Sequence, residues 1–372
     1  MSPDRRFRAA VLRAPRTPLQ IETVDLSELR TGDVLVRVKA AGLCHTDLEV
    51  IDGALPFPMP IVLGHEAAGV VEAVGDGVAA PRPGDHVILH WNPHCGHCFY
   101  CDRDLPILCE TYLAQGPRAL PFDGEPRLRQ GGAVLHNLMY LGAFADYCVV
   151  PAQCAVPVDP AIPFDRACLI GCGVMTGVGA ATHIARISWG DSVMVIGCGA
   201  VGLSAVQGAR LAGATTILAV DLDTAKLDLA RGLGATHAAR AGSDDPVAMA
   251  KVLTGGRGVD VVLESAGSEA AFRSSVEAAR PGGQVVWLGK VKAQQDVAFR
   301  WGALMQEKRL VRSSYGGARP QQDFPRLVQA YLEGALKLDE LVSRGISLDR
   351  INDGFAALRR GEVVRAVVTF PD

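Results

Sequence analysis

The hydrophobic pattern divides the chain into a first part with short, turn-separated apolar runs and a later part with regular alternation. In the first part, apolar residues alternate with polar ones in Asp33–Ala40, Ala67–Val74 and Asp85–Leu89, and Gly and Pro turns separate these runs. Alternation with period two is typical of half-buried strands. The first part therefore predicts an irregular, mostly-β domain.

From about Val174 onward, buried-strand patterns alternate with helical ones. The predicted strands are Ser192–Ile196, Thr215–Val220, Val259–Leu263 and Gln284–Leu288. The predicted helices are Ala200–Leu211, Thr224–Leu233 and Glu269–Ala279. Such alternation builds βαβ units, which form a parallel sheet covered by helices on both faces. The predicted fold class is α/β, with a doubly wound parallel sheet beside the mostly-β domain.

Three further stretches are less regular. The C-terminal part, from about Gly317, predicts one helix, Phe324–Glu333, and the final strand Val363–Phe370. Leu113–Asn137 is rich in Pro, Gly and Arg and predicts a long loop. The uncharged runs Leu169–Ala185 and Val193–Ala209 are interrupted by glycines, so we interpret them as strand–turn–helix and not as membrane spans.

Size and charge exclude several classes of function. The 372 residues are enough for two domains, each with its own core. A formal net charge of −3 gives no general attraction for nucleic acid or for an anionic membrane. Met1–Gln20 mixes Arg, Asp and Pro and never forms an apolar core segment, so it predicts no secretory signal and a cytoplasmic protein.

Four of the ten cysteines are crowded into the short segment 95–109. Clustered thiols in a reducing compartment indicate a metal site more than disulfides. Four thiolates give zinc a closed tetrahedral shell, which stabilises a fold without catalysing a reaction. An iron–sulfur cluster is the alternative. The four candidate ligands are Cys95, Cys98, Cys101 and Cys109.

The charges around these cysteines lean acidic, whereas a nucleic-acid zinc module carries a basic surface. They are Asp102, Arg103, Asp104 and Glu110. We therefore favour a structural zinc site over a nucleic-acid-binding one.

A glycine-rich turn, Gly197-Cys198-Gly199-Ala200-Val201-Gly202, follows a predicted strand and begins a predicted helix. This context indicates a dinucleotide site, where the glycines let the backbone approach the pyrophosphate at the helix N-terminus. Asp221 ends the next strand, where a carboxylate binds the adenosine ribose hydroxyls and repels a 2′-phosphate. The pattern thus favours NAD over NADP, and Lys226 is a further candidate to reach the ribose.

Cys44 and His65 are candidates for a second, catalytic zinc site. Such a site has three protein ligands and one open position, and two cysteines with one histidine form a known set. Spacing alone does not identify the third ligand.

With these motifs, the chain resembles the zinc-containing alcohol dehydrogenases of the medium-chain dehydrogenase/reductase superfamily, the group that includes the liver-type and glutathione-dependent formaldehyde enzymes. The resemblance runs nearly end to end and implies a catalytic domain of the GroES-like type and a Rossmann domain. It is carried by the glycine-rich turn with Asp221, the four cysteines, Gly42-Leu43-Cys44-His45-Thr46-Asp47, Gly64-His65-Glu66, Gly171-Cys172-Gly173-Val174-Met175-Thr176-Gly177 and Val364-Arg365.

The resemblance also implies roles for individual residues. Cys172 is the third ligand of the catalytic zinc, and Thr46 takes the hydroxyl proton of the alcohol. Glu66 tunes the metal or binds it transiently, and Asp47 orients a ligand imidazole. The resemblance further implies that His45 and Arg365 face the pyrophosphate and that Thr176 faces the nicotinamide. The other cysteines are interpreted as buried packing residues, namely Cys148, Cys154, Cys168 and Cys198.

The chain departs from its family at several pocket positions. Many liver-type enzymes end the proton relay with a histidine at the position of Glu49, so the relay ends here at Glu49 or, as we favour, at water. Residues 54–60, which include Leu55, are apolar where the glutathione-dependent branch has acidic residues. Trp91 and Lys290 are further pocket candidates, with core filling and solvent exposure as their respective alternatives.

The predicted function is the zinc- and NAD-dependent oxidation of a small, hydrophobic primary or secondary alcohol, with two zinc ions per subunit. The alternatives are a nicotinoprotein with permanently bound NAD, a glutathione-dependent formaldehyde dehydrogenase and, least favoured, a silent structural family member. The predicted domains are a catalytic domain (1–173), a Rossmann domain (174–316) and a return to the catalytic domain (317–372). The resemblance implies a homodimer, with a homotetramer as the alternative.

Overall fold

A computed structural model describes residues 6–371, so the first residues of Met1–Gln20 lie outside the described part. The strands are β1 (Arg6–Leu12), β2 (Gln20–Leu26), β3 (Asp33–Gly42), β4 (Ile61–Val62), β5 (Ala67–Val74), β6 (His86–Leu89), β7 (Leu128–Gln130), β8 (Ala133–Asn137), β9 (Tyr147–Pro151), β10 (Ala155–Pro157), β11 (Ser192–Ile196), β12 (Thr216–Asp221), β13 (His237–Arg240), β14 (Val259–Glu264), β15 (Ala279–Trp287), β16 (Arg309–Arg312), β17 (Val342–Ile346) and β18 (Arg365–Thr369).

The helices are α1 (His45–Ile51), α2 (Glu110–Gln115), α3 (Phe164–Leu169), α4 (Met175–Gly179), α5 (Ala200–Leu211), α6 (Thr224–Gly232), α7 (Pro246–Leu253), α8 (Glu269–Ala278), α9 (Pro320–Leu332) and α10 (Ile351–Arg359). Two π-helical turns, Ile170–Val174 and Ala180–Ile184, extend α3 and α4 into one longer helix. Short 3-10 turns join several of the other elements.

The chain forms two compact units. The first contains the chain up to Cys172, Arg319–Gly334 and the residues from Leu338 onward. The second contains Gly173–Ala318 and Ala335–Lys337. The assignment of the first unit to catalysis and the second to cofactor binding stays a prediction.

The first unit is built on a closed barrel and a seven-stranded sheet. The barrel order is β1-β2-β7-β8-β4, and the sheet order is β10-β6-β5-β3-β18-β17, with β9 also paired to β3. The long β3 is almost wholly buried because it pairs with three neighbours, β5, β9 and β18. Its apolar residues form the centre of the core of this unit.

The second unit is a six-stranded parallel sheet in the order β13-β12-β11-β14-β15-β16. Strand β11 lies inside the sheet, and all of its residues are buried. Near-continuous apolar runs are typical of parallel strands that are covered on both faces. The order of the strands reverses between β11 and β14, and ligands of such sheets bind at the carboxyl ends of the strands beside this point.

The predicted fold class is confirmed, and the predicted strands and helices of the later part lie within a few residues of the observed ones. The largest shifts affect β15, which begins five residues before the predicted Gln284, and α9, which begins four residues before the predicted Phe324. Pro320 occupies the first turn of α9, where its missing N–H has no cost.

Three sequence-based expectations are wrong. Leu113–Asn137 is not an unstructured loop, since it contains part of α2 and the strands β7 and β8 of the barrel. A second C-terminal helix, α10, is present, and Gly354 lets it pack closely: a Cβ there would lie 2.6 Å from Ile346 Cδ1 and 2.8 Å from Leu43 Cδ2. The pattern gave no sign of this packing.

Leu169–Ala185 lies almost entirely in a helix, not in a strand–turn–helix unit. The continuous helix Phe164–Ile184 has 21 residues and a mean hydropathy of 1.5 in its most apolar window, so length and composition alone would let it cross a membrane. However, 72% of that window is buried inside the protein, and buried core helices pass the same test. The glycines that suggested a turn instead allow close packing, because a Cβ on Gly179 would lie 2.3 Å from Gly316 O.

Candidate active site

Three predicted ligands of the catalytic zinc come together in the first unit. Cys44 lies at the N-terminus of α1, His65 lies between β4 and β5, and Cys172 lies in the π-helical turn Ile170–Val174. Their sulfur and nitrogen atoms all lie within 4.8 Å of one another. Two sulfurs and one imidazole nitrogen fit a zinc ion that keeps a fourth position open.

Glycines allow the backbone segments to approach one another at this point. A Cβ on Gly171, next to Cys172, would lie 2.5 Å from Leu89 O at the end of β6. A Cβ on Gly42, at the end of β3, would lie 2.4 Å from Glu66 Oε2. A side chain at Gly171 would displace Cys172 from the cluster, and one at Gly42 would displace the neighbouring Glu66.

The buried Asp47 holds the site together and orients His65. Its Oδ2 accepts from Cys44 N at 3.1 Å, and its Oδ1 accepts from Gly64 N at 3.1 Å. Oδ1 also lies 3.2 Å from His65 Nδ1. A carboxylate on one ring nitrogen fixes the tautomer and directs the other nitrogen to a metal. The structure therefore shows the contact between Asp47 and an imidazole that the resemblance implied.

A buried ion pair lies beside the cluster. Arg365 Nε donates to Glu66 Oε2 at 2.9 Å, and the two residues are 3% and 0% exposed. Arg365 Nη2 also lies 3.7 Å from Cys44 Sγ. Sequence reasoning missed this pair, because the two residues are 299 positions apart and no local pattern connects them. The predicted contact of Arg365 with pyrophosphate stays a prediction.

The electrostatics of the three ligands favour a thiolate at Cys44. The hydrogen bond from the Cys172 thiol lowers the pKa of Cys44 well below its usual value, and the positive charges of Arg365 and His65 lower it further. The same hydrogen bond, together with burial, raises the pKa of Cys172. Burial disfavours a charged His65, but Asp47 and Cys44 raise its pKa well above the ordinary value. Among the three ligands, the thiolate form is therefore favoured at Cys44, while the Cys172 thiol keeps its proton and donates it to that sulfur.

The four clustered cysteines of segment 95–109 also converge, with all sulfur atoms within 4.8 Å of one another. Backbone N–H groups support them, since Cys95 N donates to Cys109 Sγ at 3.3 Å and Glu110 N donates to Cys98 Sγ at 3.5 Å. A hydrogen bond from the backbone N–H of His97 lowers the pKa of Cys95 to about 6. Hydrogen bonds from the backbone and from Cys101 also lower the pKa of Cys98, whereas burial raises the pKa of Cys101. Four converging sulfurs fit a closed tetrahedral zinc site.

The remaining cysteines behave as expected of packing residues, since all four are buried. They are Cys148, Cys154, Cys168 and Cys198. All ten cysteines are free of disulfide bonds.

The glycine-rich turn in the second unit has the backbone that a dinucleotide needs. Gly197 has a φ of +90°, and a Cβ on Gly202 would lie 1.7 Å from Gly197 O. A Cβ on Gly199 would meet nothing within 4 Å, so this side of the turn is open to a ligand. Gly199 caps α5 without any side-chain hydrogen bond, which leaves the first N–H groups of the helix available to an anion. Val201 is half-buried in this first turn.

Asp221 is tied to the glycine-rich turn. Its Oδ2 accepts from Cys198 N at 2.6 Å, and its Oδ1 accepts from Asp223 N at 2.9 Å. The carboxylate therefore lies at the carboxyl end of β12 beside the turn, where an adenosine ribose binds in such folds. Lys226 is half-buried on α6.

The structure places the other candidates as follows. On α1, His45 is exposed, whereas Thr46 and Glu49 are half-buried. Leu55 and Trp91 are half-buried and pack against the apolar core of the first unit. In the second unit, Thr176 is half-buried on α4 and Lys290 is exposed after β15.

Two glycines surround Lys290. A Cβ on Gly267 would lie 2.7 Å from Lys290 O and 2.9 Å from Lys290 N. A Cβ on Gly289 would lie 2.4 Å from Gly267 N. The backbone of Lys290 is therefore packed directly against the loop that follows β14.

Sequence comparison identifies both parts of the chain. Residues 30–160 match the family described as alcohol dehydrogenase GroES-like domain, and residues 200–333 match the family described as zinc-binding dehydrogenase. The chain is 36% identical over 366 residues to an S-(hydroxymethyl)glutathione dehydrogenase of Escherichia coli, covering 98% of this chain and 99% of the relative. It is 38% identical over 365 residues to an NDMA-dependent alcohol dehydrogenase of Amycolatopsis methanolica, covering 97% and 98%.

Solved structures agree with these matches. A zinc-binding-domain alcohol dehydrogenase protein of Burkholderia ambifaria superposes with a TM-score of 0.95 at 38% identity, covering 99% of this chain and 100% of that one. A benzyl alcohol dehydrogenase of Acinetobacter calcoaceticus superposes with a TM-score of 0.93 at 31% identity, covering 98% and 99%. With two ligand clusters and a dinucleotide turn in its fold, the chain belongs to the zinc-dependent alcohol dehydrogenases of the medium-chain dehydrogenase/reductase superfamily, which are oxidoreductases that use zinc and a nicotinamide dinucleotide.

Proposed function

We propose that this enzyme catalyses the reversible, NAD-dependent oxidation of a small, hydrophobic primary or secondary alcohol to an aldehyde or ketone. The observation that carries the proposal is the convergence of Cys44, His65 and Cys172, with their ligand atoms within 4.8 Å of one another. When bound there, zinc acts as a Lewis acid that lowers the pKa of the alcohol hydroxyl. Hydride transfer itself belongs to the chemistry of the nicotinamide.

The residues around the site bind, orient and move protons. Asp47 keeps His65 in the ligating tautomer, and Arg365 balances the buried charge of Glu66. Thr46 is the proposed acceptor of the hydroxyl proton. Glu49 lies three positions later on α1, on the same face of the helix, and is one possible end of the relay. The alternative, which we favour, is that Thr46 passes the proton directly to water.

The proposed substrate is apolar because the loop before Gly64 is an apolar surface. Leu55, Phe57 and Met59 are half-buried against the core of the first unit, as is Trp91. Residues 54–60 contain no acidic side chain. This composition favours an apolar alcohol over a glutathione adduct, although one relative bears the name of a glutathione-dependent enzyme. Lys290→Ala tests whether the exposed lysine engages a polar substrate group, since unchanged kinetics with every substrate would exclude such a contact.

The proposed metal content is two zinc ions per subunit, with catalytic zinc at Cys44, His65 and Cys172. Structural zinc is proposed at the four clustered cysteines. The proposed dinucleotide is NAD and not NADP, because the carboxylate of Asp221 ends β12 beside the glycine-rich turn, from where it would repel a 2′-phosphate on the adenosine ribose.

The test is the change in nicotinamide absorbance with purified enzyme, NAD or NADP, and a panel of aliphatic and aromatic alcohols. The panel includes formaldehyde with glutathione, and each assay is repeated after zinc removal. We expect NAD-dependent oxidation of apolar alcohols that is lost without zinc and restored by zinc. Turnover only of the glutathione adduct, or turnover that survives complete zinc removal, would contradict the proposal.

A second candidate function is that of a nicotinoprotein, which keeps NAD bound and cycles between two substrates. The similarity to an NDMA-dependent alcohol dehydrogenase, at 38% identity over nearly the whole chain, favours this candidate. It requires that nicotinamide dinucleotide be released only on denaturation of the purified protein. It also requires that turnover proceed with an artificial acceptor without added NAD.

The proposed assembly is a homodimer, with a homotetramer as the alternative. Strand β16 is an edge of the six-stranded sheet, and exposed apolar side chains lie on and before it. Trp301, Met305 and Val311 are 78%, 54% and 37% exposed. Unpaired edges with apolar neighbours favour pairing with a second chain. Light scattering with Val311→Lys as the disrupting variant tests this assembly. The proposed location is the cytoplasm.

A further inference from the structure

Arg240 lies directly beside the carboxylate that is proposed to bind the adenosine ribose. Asp221 and Arg240 are the last residues of β12 and β13 and are paired in register. Paired positions on neighbouring parallel strands direct their side chains to the same face of the sheet. The side chains of Arg240 and Asp221 therefore project from neighbouring positions at the carboxyl ends of these two strands.

The guanidinium of Arg240 reaches over the end of β12. Its Nε donates to Leu222 O at 3.1 Å, and Leu222 directly follows Asp221. Within residues 6–371, the two Nη atoms have no hydrogen-bond partner, and no carboxylate lies within ion-pair distance of them. Four N–H donors of the guanidinium are thus available at an exposed position.

The backbone of Arg240 is held in place, so the position of its side chain is not accidental. Arg240 N donates to Asp244 Oδ2 at 2.6 Å, and Asp244 N donates back to Arg240 O at 2.9 Å. Ser243 N donates to the same carbonyl at 3.2 Å. The turn after β13 therefore fixes the point from which the guanidinium extends.

The charges at this corner are mixed. Both oxygens of Asp221 are engaged by backbone N–H groups, from Cys198 and Asp223. The positive charge of Lys226 acts on the Cys198 thiol, which places a second cation close to the glycine-rich turn. Guanidinium groups bind phosphate through parallel N–H bonds, and an arginine near the ribose is how folds of this kind accommodate a 2′-phosphate. The carboxylate of Asp221 opposes such a phosphate, whereas Arg240 and Lys226 would attract it.

We propose that Arg240 is a second determinant of dinucleotide choice, as a ligand for a phosphate on the adenosine 2′ position. The inference rests on the proposed use of NAD by the second unit. Discrimination against 2′-phosphorylated dinucleotides then depends on the balance between the carboxylate of Asp221 and the guanidinium of Arg240. Arg240 attracts the 2′-phosphate that this carboxylate repels. Removal of the carboxylate therefore leaves a site that accepts the phosphate.

The test measures binding of two small probes to the full chain by calorimetry, so it needs no turnover. The probes are adenosine 5′-monophosphate and adenosine 2′,5′-bisphosphate, which differ only in the 2′-phosphate. The proteins are the wild type, Asp221→Ser, Arg240→Gln, the double variant and Arg257→Gln. Arg257 is a matched control because it is also exposed in the second unit and makes no ion pair among the described residues.

The quantity compared is the ratio of the affinity for the bisphosphate to the affinity for the monophosphate. We expect this ratio to be about tenfold higher or more in Asp221→Ser than in the wild type. Adding Arg240→Gln should lower that ratio of affinities about tenfold, and Arg257→Gln should not change it. Arg240→Gln alone should lower the same ratio in the wild-type background, which covers the case that Asp221→Ser does not fold.

Three results would overturn the proposal. The first is a ratio that Arg240→Gln changes by less than twofold in both backgrounds. The second is an equal loss of both probes, because this would show that Arg240 acts only on the fold of the site. The third is no binding of either probe to the wild type. If the wild type binds the probes but oxidises no alcohol with NAD, the proposed function fails while this inference stands.

Discussion

The two sulfur-rich clusters of the first unit differ in how the fold assembles them. The four cysteines of segment 95–109 come from one excursion of the chain between β6 and β7, and backbone N–H groups within the excursion support their sulfurs. Cys44, His65 and Cys172 come from three distant segments, and buried side chains such as Asp47 support them. The first cluster is defined locally, whereas the second exists only when the barrel and the sheet have formed.

This difference matches the chemistry of each cluster. A closed shell of four sulfurs needs only short-range geometry, because its task is to hold a segment together. A set of three ligands with an open position needs charged side chains from other segments around it, because its proposed task is to bind substrate while its histidine stays in one tautomer. Changes to the second cluster should therefore affect activity, and changes near the first should affect stability.

The largest expected effect follows from the removal of one ligand of the second cluster. Cys172→Ser should lower kcat/KM about 1000-fold, because several kcal/mol of Lewis-acid stabilisation are lost and each 1.36 kcal/mol is a factor of ten. Elemental analysis should show one zinc fewer per subunit, with the zinc of the four clustered cysteines retained. Loss of both zinc ions would show that the two clusters are not independent.

Two buried histidines extend the comparison, because their environments shift their pKa values in opposite directions. Asp47 and Cys44 overcome burial at His65 and raise its pKa. At His90, near the start of the four-cysteine segment, burial dominates and lowers the pKa to about 4, although a hydrogen bond to Gln153 O at 2.6 Å opposes the shift. His90 Nδ1 accepts from Asn92 N at 3.3 Å, so it is bound as the neutral ring.

The second prediction uses the acid sensitivity that His90 creates. An unfolded histidine takes up a proton near pH 6.5, whereas folded His90 does so only near pH 4, so the free energy of unfolding should fall as the pH falls between these values. The loss is roughly 3 kcal/mol at pH 4 and below.

His90→Gln keeps a donor and an acceptor but cannot take up a proton. Urea unfolding of wild type and variant at pH 7.5, 5.5 and 4 measures the difference, which should grow towards acid in favour of the variant. Parallel curves at all three pH values would show that His90 is not buried as the neutral ring.

A smaller effect is expected from Asp47→Asn, which keeps the size of the side chain but weakens its hold on His65. Loss of a carboxylate that orients a ligand imidazole costs 10- to 100-fold in metal affinity or activity. Competition with a chelator should show weaker binding of one zinc ion only. Excess zinc should then restore most of the turnover, whereas an activity loss that persists at saturating zinc would assign Asp47 a different role.

The smallest effect concerns the end of the proton relay. If the proton passes directly to water, Glu49→Gln should change kcat less than about twofold and leave the pH–rate profile unchanged. A shift of the profile by a full pH unit would assign the proton to the carboxylate instead. Glu49→Asp, which keeps the charge, is the control for effects on α1.

The fold and the four-cysteine cluster were predictable from sequence because both depend on short-range patterns. The alternation of strand and helix defined the sheet of the second unit, and the spacing of Cys95 to Cys109 indicated a metal site. The third ligand of the second cluster was not predictable from the spacing of residues, and only the family resemblance pointed to Cys172. Cys172 comes close to Cys44 through long-range packing, in which Gly171 lies against Leu89.

Long-range pairs and close packing were not predictable. Arg365 and Glu66 are 299 positions apart, and neither pattern nor spacing links them. The sequence predicted only one C-terminal helix and missed α10, where the absence of a side chain at Gly354 allows close contact with Ile346 and Leu43. In both cases the decisive interaction joins segments that only the folded chain brings together.

The packing around Lys290 has a consequence for directed evolution of this enzyme. Because Gly267 and Gly289 bring two backbone segments into direct contact there, any side chain at either position would displace the loop itself. Libraries at Lys290 would vary one exposed side chain on a backbone that does not move with it. A change of the Lys290 side chain would thus leave the loop in place, while Gly267 and Gly289 would have to remain glycine in every variant.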